Sequence, residues 1–242
     1  MTDIIHFNQV GYRYPGGKDV LSDVTFSLGR GEMAFVTGSS GAGKTTLLRL
    51  VGLLCKPTRG QVMVDDVNLA SLKNGDIAPF RQRIGMVFQN FNLLYDRTVF
   101  DNVALPLVIR GFAYSDVQRR VRAALDAVGL LNREKSSPLT LSGGEQQRVG
   151  IARAIVSKPA LILADEPTGN LDPEMSKEVM KLFERFNQVG VSVLIATHAL
   201  HLIVHMPHRI IHLDGGKITA RRPRTPVLSD LPPFPGEDSR GR

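Results

Sequence analysis

The stretch Gly38-Ser39-Ser40-Gly41-Ala42-Gly43-Lys44-Thr45 decides the fold. An apolar run, residues 33–37, leads straight into it. Leu47, Leu48, Val51 and Leu54 follow at helical spacing until Pro57 and Gly60 stop the pattern. A strand, a glycine-rich turn and a helix in that order, with every fixed position of G-x-x-x-x-G-K-[ST] filled, predict a phosphate-binding loop. Glycines let backbone N–H groups converge on phosphate oxygens, and the helix N-terminus adds partial positive charge. Lys44 then reaches the β and γ phosphates and the Thr45 hydroxyl ligates Mg²⁺, so ATP and Mg²⁺ are the expected ligands.

Working outward, residues 4–7, 24–28, 61–64, 84–88, 161–164 and 191–196 read as strands, and 210–219 as a hairpin turning at Asp214-Gly215-Gly216. Helices are expected over 45–54 and over 115–131, where Val117, Val121, Leu125 and Val128 recur among Arg119, Arg120 and Arg122. Another starts at Ser142, where Glu145 completes a capping-box pattern before Val149, Ile151, Ala152 and Ile155. A further one runs through Met175, Val179, Leu182, Phe183 and Phe186. Strands alternating with helices imply an α/β core.

Residues 161–164 end in Asp165 and Glu166. Beside a phosphate loop, the strand-end Asp165 is the expected Mg²⁺ ligand and Glu166 the carboxylate that orients and polarises the attacking water. Ser142, Gly143 and Gly144 open a helix and offer a second anion site there; the bland reading is a capped helix, and both hold at once.

Leu141-Ser142-Gly143-Gly144-Glu145-Gln146-Gln147 resembles the signature of the ABC ATPase family, and the likeness runs from Ile5 to about Lys217. It implies a P-loop NTPase fold with a RecA-like core, an antiparallel β subdomain and a helical signature subdomain over about 90–158. It also implies ATP hydrolysis by a head-to-tail homodimer, in which the signature (Ser142, Gly143, Gly144, Glu145) faces the γ-phosphate held by the other chain's loop. In this likeness Tyr14 is the aromatic that stacks on adenine, with Tyr12 its rival. Gln89 senses Mg²⁺ and the attacking water, and His198 is the γ-phosphate switch. Asn170-Leu171-Asp172 is the D-loop, and Thr46 joins the loop residues in holding nucleotide. Ala199 stands where the family usually has Asp, which leaves the histidine's role intact and puts a neighbouring polar contact in doubt.

Residues 166–172, Glu-Pro-Thr-Gly-Asn-Leu-Asp, resemble a subgroup of cell-division, lipoprotein-release and macrolide-export ATPases; Asp96-Arg97-Thr98-Val99 and the run 144–154 look most like the cell-division member. The resemblance then implies a membrane partner, FtsX, and control of peptidoglycan hydrolases by the division machinery. It places the chain peripherally on the cytoplasmic face of the bacterial inner membrane at the septum. The partner's coupling helix is expected against residues 89–100, with Tyr95, Asp96 and Arg97 outward and Leu93, Leu94 and Val99 inward. The alternative is a lipoprotein-release or macrolide-export ATPase.

Composition sets bounds on these readings. The chain has 242 residues, 43% of them hydrophobic, enough for a sizeable core. No apolar run approaches the roughly 18 to 20 residues of a spanning helix, and residues 1–7 lack the apolar run of a signal peptide, so a soluble cytosolic chain is expected. The surplus of 30 Lys and Arg over 23 Asp and Glu is dispersed and lacks interleaved aromatics, which favours lipid headgroups and solvation over nucleic acid. Cys55, after an apolar run, reads as a buried structural thiol. His198, His201, His205, His208 and His212 recur at three- and four-residue steps, but Pro207 breaks any helix that would align them, so they read as surface histidines. The expected layout is an ATPase domain over 1–220 and a proline-rich, extended or disordered tail over 221–242.

Overall fold

The computed structural model describes residues 3–222. Its centre is a six-stranded sheet ordered β10-β9-β3-β8-β7-β6. The strands are β3 (Met33–Thr37), β6 (Ile84–Val87), β7 (Leu161–Asp165), β8 (Ser192–Ala196), β9 (Arg209–Asp214) and β10 (Lys217–Arg222). All pairs are parallel except β9 with β10. Every residue of β3 and β8 is buried, as strands covered on both faces require. An antiparallel sheet, β2-β1-β4-β5, packs beside it, from β1 (Asp3–Arg13), β2 (Asp19–Gly29), β4 (Arg59–Val64) and β5 (Val67–Asn68).

The helices are α1 (Lys44–Val51), α2 (Asn74–Arg81), α3 (Val99–Ile109), α4 (Tyr114–Ala127), α5 (Gly143–Ile155), α6 (Pro173–Gln188) and the single turn α7 (Leu200–Ile203). One apolar cluster joins α3, α4 and α5 to the sheet through residues such as Val103, Leu107, Val121, Leu125 and Val149; the other joins α1 to the antiparallel sheet through Leu47, Leu50, Phe7 and Leu28. The parallel core, the antiparallel sheet and the helical layer correspond to the α/β, P-loop architecture expected from the sequence.

Several expectations need correction. The helix read over 45–54 ends at Val51: Leu53 adopts φ 52° and the Leu54 N–H returns to the Arg49 carbonyl at 2.8 Å. The helix read over 115–131 ends at Ala127, because Gly129 at φ 72° lets the Leu130 N–H reach the Leu125 carbonyl at 2.8 Å while its own N–H reaches Asp126 at 2.9 Å. The stretch read as tail from Arg221 begins two residues too early, since Arg221 and Arg222 pair with Ile211 and Ile210. The rest of that tail lies outside the described residues. Cys55 is half-buried beside Tyr12, and burial raises its thiol pKa. α7 is too short to align the histidines from His198 to His212.

A Cβ at Gly129 would meet no neighbour, so only the left-handed backbone resists substitution there. Gly129→Ala is expected to cost about 1 kcal/mol and lower the melting temperature by roughly 2 to 4 °C, read by thermal circular dichroism.

Candidate functional site

Residues 38–43 bend over the C-terminal end of β3, and α1 begins at Lys44. All of them but Ala42 border a cavity of about 750 Å³ lined also by Tyr14, Lys44, Thr45, Thr46, Gln89, Glu166 and His198. Lys44 is 8% exposed and donates from Nζ to the carbonyls of Gly38 at 2.9 Å and Ser39 at 3.1 Å. The same Nζ stands 3.8 Å from Glu166 Oε1. His198 Nδ1 lies 2.9 Å from that oxygen, and the His198 N–H donates to Glu166 Oε2 at 3.3 Å. Glu166 itself has φ 46°, a left-handed backbone at the end of β7, held by its N–H bond to the Ala196 carbonyl at 2.9 Å.

Asp165 lies behind Thr45, whose hydroxyl donates to Asp165 Oδ1 at 3.1 Å. Burial raises the Asp165 pKa above the usual carboxylate range, against the opposing pull of that hydrogen bond. A hydroxyl and a desolvated carboxylate side by side are hard oxygen donors, the set Mg²⁺ takes, so the residues fit the ion. Tyr14 is half-exposed at the cavity edge. Its hydroxyl sits 3.3 Å from Thr46 Oγ1 and accepts from Arg49 at 3.3 Å. Tyr12 is buried and meets the Tyr14 ring edge-on at 4.9 Å, which leaves Tyr14 as the exposed aromatic at this cavity. Thr46 is buried and bonded to Tyr14, and Ala42 is buried behind the loop.

The signature residues are not in this lining. Ser142 caps α5: its hydroxyl accepts from the Glu145 N–H at 3.2 Å, and Glu145 Oε2 accepts from the Ser142 N–H at 2.9 Å. That backbone bond lowers the Glu145 pKa. Ser142 and Gly143 are exposed, and Gly143 lies near Leu171 and Phe91. Asp172 caps α6, accepting from the N–H groups of Glu174 at 3.0 Å and Met175 at 2.9 Å. The cavity thus brings together the glycine-rich loop, Lys44, Glu166 and His198, with Asp165 behind Thr45, while the exposed α5 N-terminus at Ser142 and Gly143 lies outside its lining.

Sequence reasoning missed Val20, which lines the cavity from β2, because an apolar strand residue carries no chemical signal. It also missed Arg153 and Asn102. Asn102 is fully buried and holds the loop before α3, donating to the Leu94 and Thr98 carbonyls and accepting from the Leu94 N–H. Leu94, read as packing inward, is 41% exposed: its backbone serves Asn102 and its side chain faces out, whereas Leu93 and Val99 are buried as expected.

Residues 21–169 match the family model described as ABC transporter. This chain belongs to the ABC transporter family. It is 52% identical over 215 residues to the cell division ATP-binding protein FtsE of Escherichia coli K12, covering 89% of this chain and 97% of that protein. FtsE of Haemophilus influenzae is 47% identical over 214 residues, covering 88% and 98%. A solved structure of the ATP-binding cassette MJ0796, a post-hydrolysis dimer bound to ADP and Pi, superposes with a TM-score of 0.83 at 32% identity, covering 92% of this chain and all of that one. The chain is therefore an ATP-binding and hydrolysing ABC subunit. Among its described residues no helix is long and apolar enough to cross a membrane.

The raised Asp165 pKa has a stability consequence for this ATPase. An acid that binds its proton more tightly when folded favours the fold below its unfolded pKa, and that contribution is lost as pH rises through the folded value. Asp165→Asn is therefore expected to raise the melting temperature of the nucleotide-free chain at pH 7.5 by roughly 1 to 3 °C, a gain that shrinks as pH falls toward about 4. The same variant is expected to lose Mg²⁺-dependent hydrolysis, measured by phosphate release.

Proposed function

We propose that this ABC ATPase works in cell division, as a head-to-tail homodimer bound peripherally to an FtsX-type membrane partner on the cytoplasmic face of the bacterial inner membrane at the septum. ATP turnover then signals through the partner to peptidoglycan hydrolases, without carrying a substrate. The likeness to FtsE over almost the whole of that protein carries the reading. The cavity supports the dimer: it contains the phosphate loop, Gln89, Glu166 and His198 but no signature residue, so one chain supplies an incomplete site. A second chain's Ser142 and Gly143, exposed at the α5 N-terminus, supply the missing anion contacts.

Each residue has a task in that arrangement. Lys44 exchanges the Gly38 and Ser39 carbonyls for phosphate oxygens, and Tyr14 offers its exposed ring to adenine. Thr45 and Asp165 would hold Mg²⁺, which when bound neutralises phosphate charge. Glu166 polarises the attacking water, its carboxylate oriented by the His198 backbone N–H on Oε2 and by the imidazole beside Oε1. Gln89, at the cavity wall, reports the state of this centre to the loop over 89–100.

Glu166→Gln is expected to lower turnover by at least about a hundredfold while ATP binding persists, giving a stable ATP-bound dimer by size-exclusion chromatography. Ser142→Arg is expected to bind ATP as a monomer and fail to dimerise. Wild-type hydrolysis by the first, or normal dimerisation by the second, would remove the corresponding role.

For the partner, the exposed Leu94 and Arg97 are the contacts to alter, because the Tyr95 hydroxyl is engaged with Gln146 at 3.2 Å. Leu94→Ala with Arg97→Glu is expected to leave ATP affinity within about twofold yet weaken co-purification with FtsX and give filamentous cells. Full partner binding with normal division would sink the docking surface, and a lipoprotein-sorting defect without a division defect would point to the lipoprotein-release role.

A further inference from the structure

The loop that follows Gln89 rests on helix α5. Arg153, in the last turn of that helix, donates from Nη1 to the Asn92 carbonyl at 2.7 Å and from Nη2 to the Phe91 carbonyl at 2.9 Å. Asn92 has φ 50°, a left-handed turn at the point where two successive carbonyls meet one planar guanidinium. No carboxylate pairs with Arg153 among the described residues; burial alone lowers its pKa, and carbonyl dipoles balance its charge. A partly buried cation without a carboxylate is held by its geometry, and the two carbonyl contacts it makes with the loop are specific.

A second tie lies nearer the start of α5. Gln146 accepts from the Tyr95 hydroxyl at 3.2 Å and donates to the Leu141 carbonyl at 3.1 Å. Residues 146, 150 and 153 lie along one face of the helix, and the Phe91 carbonyl passes 3.8 Å from where a Cβ of Gly150 would stand. The segment 91–95 is therefore laid against α5 and fastened at both ends. Gln89 is two residues before Phe91, and its carbonyl accepts from Asn170 at 3.4 Å. Two residues of backbone span at most about 7 Å, so the position of Phe91 largely sets that of Gln89.

We propose that Arg153 is a positioning residue for ATP hydrolysis: by fixing the Phe91 and Asn92 carbonyls it sets where Gln89 stands in the nucleotide cavity and ties that position to the helix headed by Ser142. The inference rests on the reading of Gln89 as the group that senses Mg²⁺ and the attacking water. The binding of ATP through Lys44 and Tyr14 does not depend on it. Loss of the guanidinium therefore lowers kcat and leaves KM for ATP in place.

The test is a cycle of Arg153→Met, Gln89→Ala and the double variant, assayed for kcat, KM for ATP and the Mg²⁺ concentration giving half-maximal rate. Arg153→Met is expected to lower kcat about tenfold or more, with KM for ATP within about twofold and a higher Mg²⁺ requirement. Arg153→Lys, which keeps the charge and one donor at a time, is expected to recover part of the rate. The double variant is expected to be no slower than Gln89→Ala, because Arg153 acts through Gln89. If Gln89→Ala is slow and the two losses multiply, or if Arg153→Met keeps full kcat, the positioning role is overturned. If Gln89→Ala turns over at the wild-type rate, the reading of Gln89 fails instead, and the inference falls with it. Should Arg153→Met not fold, the same cycle with Arg153→Lys decides the matter.

Discussion

Three backbones meet at the phosphate loop with no space for a side chain between them. A Cβ on Gly38, whose φ is 150°, would collide with the Leu213 carbonyl of β9. Beside it the Ser22 N–H of β2 donates to the Gly216 carbonyl of the β9–β10 hairpin at 2.8 Å. The glycine-rich loop is thus the joint at which the antiparallel sheet docks onto the parallel one. Leu21 and Val24 of β2, Leu47 and Leu50 of α1, and Ile211 and Leu213 of β9 pack in one apolar cluster around that joint. A side chain at position 38 would open the joint as well as the nucleotide site, so fold and function share one constraint.

The two acids at the end of β7 are separated by a backbone kink. Along a strand, successive side chains point to opposite faces, and Asp165 and Glu166 on a regular strand could not both address one nucleotide. The left-handed φ of 46° at Glu166 redirects its carboxylate into the cavity beside Lys44 and His198, while Asp165 stays behind with Thr45. Such a backbone costs a non-glycine residue about 1 to 2 kcal/mol. Hydrogen bonds from Glu166 N–H to Ala196 and from Gly169 N–H to the Glu166 carbonyl hold it there.

What the sequence made legible was whatever local chemistry specifies. The phosphate loop, the buried strands β3, β7 and β8, and the capping box at Ser142 all follow from side chains and their immediate neighbours. Elements governed by tertiary packing were not legible. α3 is apolar nearly all round, from Val99 to Ile109, and carries Pro106, so it shows no helical period even though the fold buries Val103 and Leu107. β1 looked like residues 4–7 because Gln9, at φ 48°, interrupts the alternation; the register shift between Phe7 and Val10 then returns Val10 and Tyr12 to the interior. Leu94 looked like core until Asn102 claimed its backbone. Arg153 looked like one more charge on a helix, since nothing in its neighbours announces two backbone carbonyls 61 and 62 residues earlier in the chain.

The charged groups around Glu166 bear on how nucleotide binding and chemistry are linked. Glu166 is shared by two cationic groups, Lys44 at 3.8 Å and, when protonated, His198 at 2.9 Å, and its side chain is only 13% exposed. Both approach the same oxygen, Oε1, while the His198 backbone N–H holds Oε2. On the proposed reading, phosphate oxygens draw Lys44 away from the Gly38 and Ser39 carbonyls and lengthen its separation from Glu166. In a partly buried site the attraction between unit charges falls steeply with that separation. Glu166 then keeps the His198 backbone N–H on Oε2 and the imidazole beside Oε1, while Oε1 loses the Lys44 cation that stood near it. On that reading a carboxylate relieved of one nearby cation is the better acceptor for a water proton, so phosphate binding at Lys44 and water activation at Glu166 are coupled through one side chain.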